Sequence, residues 1–284
     1  MAELQSLRDF EFTPEDFDRV RGLIHEHAGI ALGDSKSDMV YTRLSRRLRA
    51  CGCTRFRDYL DRLERGDPAE WEQFTNALTT NLTSFFREPH HFPILAGHLR
   101  SLSRNRPLRV WCCAASTGEE PWSIAITACE AFDTLAPPVQ ILASDVDTQV
   151  LATARRAVYN LERLEGLPQA RLQRFFQRGT GANAGMARVK PDLHALVQFR
   201  QINLLRDDWV RGPPYDAVFC RNVMIYFDKP TQYAILGKLT RLMEPDGLLF
   251  AGHSESFFHA GDLVRLREHT VYEPVAQRPE RRQP

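Results

Sequence analysis

The chain has 284 residues, with 37 Lys+Arg against 36 Asp+Glu, a formal net charge of +1 and a sequence pI of about 7.7. Phosphate-binding surfaces need a basic face and usually a basic total, so this balance excludes a chain coated with nucleic-acid-binding charge. Hydrophobic residues at 43% and charged residues at 26% exclude wholesale disorder, and no apolar run approaches the roughly 18 residues of a membrane span.

The first segment, MAELQSLRDFEF, carries acids where a signal peptide would carry an apolar core. A cytoplasmic protein with no membrane insertion is therefore expected. Of the six cysteines, none forms a C-x-x-C pair, which fits reduced thiols used as small apolar residues. Thr13, Pro14, Glu15 and Asp16 mark a helix start: an N-cap, a proline at the first helical position and acids in the first turn. Phe17, Val20, Leu23 and Ile24 follow at helical spacing. Gly29 and Gly33 interrupt the chain before a second helix beginning near Asp34–Ser37. Trp71, Phe74, Leu78 and Leu82 make a further apolar stripe. Residues 1–80 thus read as a small helical domain, followed by a linker over 81–106.

From Pro107 the period changes. LRVWCCAA, PVQILASD, LVQFRQIN, YDAVFCRN and GLLFAGHS are short apolar runs, several separated by helix-like segments, which predicts a doubly wound parallel sheet over 107–277. VRLREHTVYEPV reads as edge strand, in antiparallel sense. Leu-rich turns and the Gly-containing FFQRGTGANAGMARVKPDL break the alternation near 160–196, where a small inserted β-subdomain is expected. A disordered tail is expected at 278–284.

In such sheets ligands bind beyond the carboxyl ends of the strands. The first strand runs into Ser-Thr-Gly-Glu-Glu-Pro, which lacks G-x-G-x-x-G and places Glu119 and Glu120 where a pyrophosphate would sit. Two acids there disfavour NAD, FAD and ATP and suit a nucleoside with a cationic head, such as S-adenosylmethionine (SAM). Asp145, at the end of the second strand with Asp147 nearby, is placed to accept both hydroxyls of a ribose.

The chain resembles the chemotaxis receptor methyltransferases, the CheR family, across nearly its whole length. The resemblance rests on NLTSFFRE with HHFPIL, AASTGEEPWSIAI, ASDVDTQVLATAR, INLL, FCRNVMIYFD and PDGLLFAGHSE. It implies a SAM-dependent methyltransferase fold, Rossmann-like, and methyl transfer to glutamate side chains on the cytoplasmic helices of chemoreceptors. The family's cofactor contacts fall on Asn81, Thr83, Arg87, Asp145, Asn203, Leu204, Arg221 and Asn222, and on Glu119 or Glu120, between which the sequence does not choose. Two alternatives stay open: a methyltransferase of the same fold acting on RNA or a small molecule, and a non-catalytic SAM-sensing or scaffold module.

Methylating a carboxylate is a displacement at the sulfonium methyl. With a reference pKa of about 4.3, a glutamate is already nucleophilic at neutral pH, so no general base is needed. The protein must align the reacting atoms and desolvate the nucleophile. Arg87 and Tyr226 are the expected catalytic residues, in positioning roles. No metal is expected: the adjacent His90 and His91 are poor partners on one helix face, and His253 has no acid at ligand spacing.

Val40, Leu44 and Leu48 form the apolar stripe of the second helix, leaving Arg43, Arg46, Arg47 and Arg49 on the remaining arc. From Lys36 to Arg65 there are nine Lys/Arg against four Asp/Glu, whereas residues 1–35 hold three against eight. The near-neutral total therefore hides a local basic face. Arg43, Arg46 and Arg47 are candidates to bind an acidic receptor helix, and the absence of interleaved aromatics argues against nucleic acid. In the inserted subdomain, Arg178, Gly179 and Gly181 match a glycine-containing loop. In family members with such a loop, a receptor C-terminal peptide docks as an added strand. A monomer is expected.

Overall fold

The computed structural model describes residues 9–209 and 212–275, so the tail expected at 278–284 lies outside it. Four helices open the chain: α1 (Pro14–Ala28), α2 (Ser37–Cys51), α3 (Phe56–Glu64) and α4 (Pro68–Leu78). The α1 start is a capping box, with the Thr13 hydroxyl accepting the Asp16 N–H and the Asp16 carboxylate accepting the Thr13 N–H. Val20, Ile24, Val40, Leu44, Leu48, Tyr59 and Phe74 bury a separate apolar core between these helices. The stripe expected to run through Leu82 stops at Leu78. Thr79 is extended, and Leu82 is 80% exposed.

After α5 (His91–Ser101) come β1 (Leu108–Cys112), α6 (Glu119–Ala131), β2 (Val139–Asp145) and α7 (Thr148–Arg156). A three-stranded antiparallel sheet is then inserted. It comprises β3 (Val158–Asn160), β4 (Phe176–Arg178) and β5 (Met186–Val189) in the order β3-β5-β4, with α8 (Gln169–Phe175) before β4 and α9 (Pro191–His194) after β5. The main sheet resumes with β6 (Val197–Gln201), β7 (Tyr215–Phe219), α10 (Lys229–Arg241) and β8 (Met243–Phe250). It ends in β9 (Val264–Glu268) and β10 (Val271–Pro274).

The seven-stranded order is β6-β2-β1-β7-β8-β10-β9. The first five strands are mutually parallel, and β10 and β9 close the edge in antiparallel sense. Alternate strand residues face opposite layers. Val110, Cys112, Ala143 and Phe219 pack with α5 and α6, whereas Trp111, Leu142, Val218 and Leu249 pack with α10. From β1 the chain moves outward to β2 and β6, then returns to place β7 and β8 on the other side. The strand order therefore reverses between β1 and β7, and a ligand crevice is expected at their carboxyl ends. Among the described residues, no helix is long and apolar enough to cross a membrane.

Candidate active site

A cavity lies at that reversal point. Its sheet side is formed by Ala114 and Ser116 after β1, Glu120 at the start of α6, Asp145 and Val146 after β2, and Arg221 to Val223 after β7. Tyr226 and Phe227 continue that wall. The opposite side comes from the helical domain: Ala28 and Ile30 beyond α1, then the strap from Leu78 to Thr83, with Arg87 further on.

Hydrogen bonds join the two halves. The Asn203 amide donates to the His27 carbonyl (2.7 Å), and the Ala31 N–H donates to the Tyr226 carbonyl (2.9 Å). Asp147 caps α7 through the N–H groups of Gln149 and Val150, and its other oxygen accepts from Thr79 (2.8 Å) and Asn81 (2.9 Å). This one buried carboxylate therefore fixes both the helix after β2 and the strap crossing it.

Asp145 is 8% exposed and receives the Ser116 N–H at 2.8 Å and the Asp147 N–H at 3.0 Å. Burial pushes its carboxyl up to about 6 against those donors. Arg221, buried at 3%, ion-pairs with Glu120 at 2.5 Å and with Glu88 at 3.4 Å, and donates to the Arg87 carbonyl at 2.5 Å. Burial pushes the Glu120 carboxyl up against the pull of Arg221. Glu88 is partly buried, but Arg221 and donors from His253 and Asn222 outweigh that burial and hold it down to about 2. The Nε of Arg221 is buried with no hydrogen-bond partner among the described residues.

These groups fit SAM. Glu120 and Asp145 give an acidic wall for the sulfonium, the ammonium and the ribose hydroxyls, and the unpartnered Arg221 Nε is a donor suited to the methionine carboxylate. Between the two acids after β1, the geometry separates roles. Glu120 lines the cavity. Glu119 faces the inserted sheet, accepting from Thr117 (2.6 Å) and pairing with Arg163.

Asn81, Thr83, Arg87, Glu120, Asp145, Arg221, Asn222 and Tyr226 are brought together around one cavity. Asn203 and Leu204 do not line it. The Asn203 amide is engaged by His27 and by the Leu205 N–H, while Leu204 is buried in the apolar layer with Trp111 and Trp209. Asn203 instead borders an adjoining cleft with His27, Gln201 and Arg206, which meets the main cavity at Val146.

The sequence reading missed Ala28 and Ile30. The helix stop at Gly29 was legible, but nothing local shows which wall the next residues approach. It also missed Asp147 as a cap and Glu88 as the partner of Arg221. Among the described residues, Glu88 rather than His253 stands within ligand distance of both His90 and His91, and the nearby guanidinium of Arg221 already supplies positive charge there.

On α2, Arg46 is exposed and makes no ion pair among the described residues. Arg43 is tied to the carbonyls of Ala77 (3.3 Å) and Thr79 (2.7 Å), which anchors the start of the strap. Arg47 grips the buried Glu70 through Nε (3.0 Å) and Nη2 (2.7 Å), and Arg49 pairs with Asp9. Most of the arginine arc is therefore engaged within the domain. In the inserted sheet, β4 pairs only with β5 among the described residues and ends at Arg178. A Cβ at Gly179 would stand 2.2 Å from the Asn183 carbonyl oxygen, so the β4–β5 turn requires glycine there.

Comparison with known proteins agrees with this architecture. Residues 15–79 match the family described as CheR methyltransferase, all-alpha domain, and residues 81–272 match CheR methyltransferase, SAM binding domain. Chemotaxis protein methyltransferase 2 of Pseudomonas aeruginosa is 57% identical over 269 residues, covering 94% of this chain and 96% of that protein. The chemotaxis protein methyltransferase of Escherichia coli K12 is 50% identical over 270 residues, covering 95% and 94%. A probable chemotaxis protein methyltransferase of Rhizobium etli is 36% identical, covering 82% and 89%. The chain belongs to the CheR methyltransferase family and takes its methyl group from S-adenosylmethionine.

Proposed function

We propose that the protein methylates glutamate side chains on the cytoplasmic helices of chemoreceptors, the reaction that resets receptor sensitivity in chemotaxis. The observation that carries the choice of acceptor is the cavity's lining. Among the described residues it offers no imidazole, thiol or amine, and its two acids are committed: Glu120 to Arg221, and Asp145 to the N–H groups of Ser116 and Asp147. A hydroxyl acceptor must give up its proton as it attacks, and a protonated amine must give one up beforehand, so both are served by a base placed to take it. A carboxylate needs none.

Bound SAM supplies an electrophilic methyl on a positively charged sulfur. Glu120 and Asp145 would hold the cationic, ribose-bearing donor, and Arg221 would hold its carboxylate end. Ile30, Leu78, Val223 and Phe227 exclude water from the path. Arg87 and Tyr226 orient the incoming carboxylate, Arg87 being itself fixed by donation to the Leu82 carbonyl at 2.9 Å. Because a carboxylate and a sulfonium would neutralise each other in transfer, the residues' contributions would be alignment and desolvation. The exposed Arg46 faces an acidic receptor helix, and the open edge of β4 with Arg178, Gly179 and Gly181 receives a receptor C-terminal peptide as an added strand.

The test is transfer of labelled methyl from SAM to receptor cytoplasmic domain. Label released as methanol by mild alkali supports the carboxyl ester, whereas alkali-stable label or no transfer overturns it. Arg87→Ala is expected to lose most turnover while remaining folded by circular dichroism. Near-normal turnover refutes the role given to Arg87.

A further inference from the structure

We propose that Glu255 is a positioning residue for methyl transfer, setting the turn that carries Tyr226 into the cavity. The proposal rests on the role given above to Tyr226.

Glu255 stands in the segment after β8 and is 4% exposed. Its two oxygens gather backbone donors from two separate turns. One oxygen accepts the N–H of Asn222 (2.9 Å) and the N–H of Gly252 (2.5 Å), and the other accepts the N–H of Met224 (2.8 Å). No ion pair to Glu255 occurs among the described residues, so its charge is balanced by peptide dipoles alone. Burial pushes its carboxyl up, and the N–H groups of Gly252, Asn222 and Met224 oppose that. A buried carboxylate without a cation persists only where its donors are held in place, and here they hold each other.

What the carboxylate fixes is the entrance to the loop. Asn222 sits at φ 57, in the left-handed region, directly after Arg221. The 222–226 turn would otherwise leave the N–H groups of Asn222 and Met224 without partners beneath the cavity wall. Its far end is secured independently. The Gln232 amide donates to the carbonyls of Met224 (2.8 Å) and Phe227 (3.0 Å), and the Tyr226 carbonyl accepts from Ala31. Glu255 thus supplies the sheet-side anchor without lining the cavity itself. Glutamine cannot replace it. Its amide nitrogen would face at least one of the three N–H groups, setting donor against donor.

The experiment is a double-mutant cycle on the full chain, with methyl transfer to receptor cytoplasmic domain and S-adenosylhomocysteine binding as separate readouts. Glu255→Gln is expected to lower kcat by about 10-fold or more, with the S-adenosylhomocysteine Kd shifted less than about threefold. Glu120, Asp145 and Arg221 lie outside the 222–226 turn, and Asn222 alone of the cofactor contacts is shared with it. In a Tyr226→Ala background the same change is expected to cost less than about twofold, because the group it positions is already gone. Full additivity of the two losses overturns the proposal. So does a kcat within twofold of the parent, or a loss in cofactor affinity as large as the loss in kcat. Should Glu255→Gln not fold, Glu255→Asp keeps the charge with a shorter reach. A reduced kcat at unchanged Kd, absent in the Tyr226→Ala background, supports the proposal, and parental kcat refutes it. If Tyr226→Ala alone leaves kcat unchanged, the role of Tyr226 fails first, a result distinct from failure of Glu255.

Discussion

Arg46 and Arg47 are neighbours on α2, and the structure predicts opposite phenotypes for them. Glu70 is 4% exposed and takes two charge-assisted hydrogen bonds from Arg47, with further donors at Tyr59 Oη (2.9 Å) and Cys51 Sγ (3.2 Å). Arg47→Ala strands that carboxylate with two weak donors. Breaking a buried ion pair costs about 3–5 kcal/mol. The Arg47 side chain is 24% exposed and water can follow its loss, so about 2–3 kcal/mol is expected. The sign of the pH dependence follows from Glu70. Burial raises its pKa, but hydrogen bonds from Arg47 and Tyr59 outweigh that and hold it below the ordinary value. It therefore adds stability above the unfolded pKa of about 4.3, and this is lost as pH falls through the folded value. In Arg47→Ala the stranded carboxyl lies above its unfolded pKa, so the variant loses stability as pH rises. The gap between parent and variant is widest near pH 7 and narrows toward pH 4. Urea unfolding at pH 7 and pH 5 reads both the gap and its narrowing. Arg46→Ala, on the exposed arc, should change stability by less than about 0.5 kcal/mol while slowing receptor methylation. Equal stability of Arg47→Ala and parent at pH 7, or a gap that does not change with pH, refutes the structural role of Arg47.

Two further outcomes follow from the cavity. Ribose hydroxyls donate to ionised Asp145, so binding lowers a pKa that stands at about 6 in the free protein. S-adenosylhomocysteine affinity should then be flat above pH 6 and fall by up to about tenfold per unit below it, whereas an unchanged affinity at pH 5 by titration calorimetry would rule this out. Gly29 sits at φ 71, and a Cβ there would lie 2.8 Å from the Phe227 ring. Gly29→Ala should cost about 2–4 kcal/mol in urea unfolding and weaken S-adenosylhomocysteine binding by displacing Ile30 and Phe227. Parental values for both would show that this contact does not shape the wall.

The elements were legible where local chemistry decides them. The Thr13–Asp16 box, the apolar runs that became β1, β2, β6, β7 and β8, and the antiparallel edge follow from caps and periodicity, because burial on one or two faces writes itself into spacing. Leu82 misled the reading since it continues the helical phase of Leu78, while Thr79 bonds Asp147 and leaves the helix. The basic face of α2 was a correct count with an incomplete meaning. Composition records the arginines but not Glu70 or the Ala77 and Thr79 carbonyls that occupy two of them. Choosing Glu120 over Glu119 required seeing Arg221 and Arg163 on opposite sides of α6, 101 and 44 residues away along the chain. Pairings at that separation leave no local trace.

The division of the cavity between two domains constrains how the enzyme can work. Its walls are held together by hydrogen bonds from Asn203 to His27, Ala31 to Tyr226, and Thr79 and Asn81 to Asp147. In addition, α4 meets α7 through Asn76 to Thr148, Thr148 to Glu72 and Gln149 to Gln73, and each neutral bond is worth about 0.5–1.5 kcal/mol net. A ligand touching both walls favours the docked arrangement by its own binding free energy, and docking favours the ligand equally, because the coupling is reciprocal. The same helical domain carries Arg46, so, under the proposed receptor contact there, its docking would also set where that helix stands relative to the Arg87 and Tyr226 wall. A rigid, wholly sheet-borne cofactor site would bind SAM without fixing that relation. Placing Ala28, Ile30 and the 78–83 strap in the cavity couples cofactor binding to domain docking, and, on the function proposed above, would make cofactor binding and receptor alignment one equilibrium.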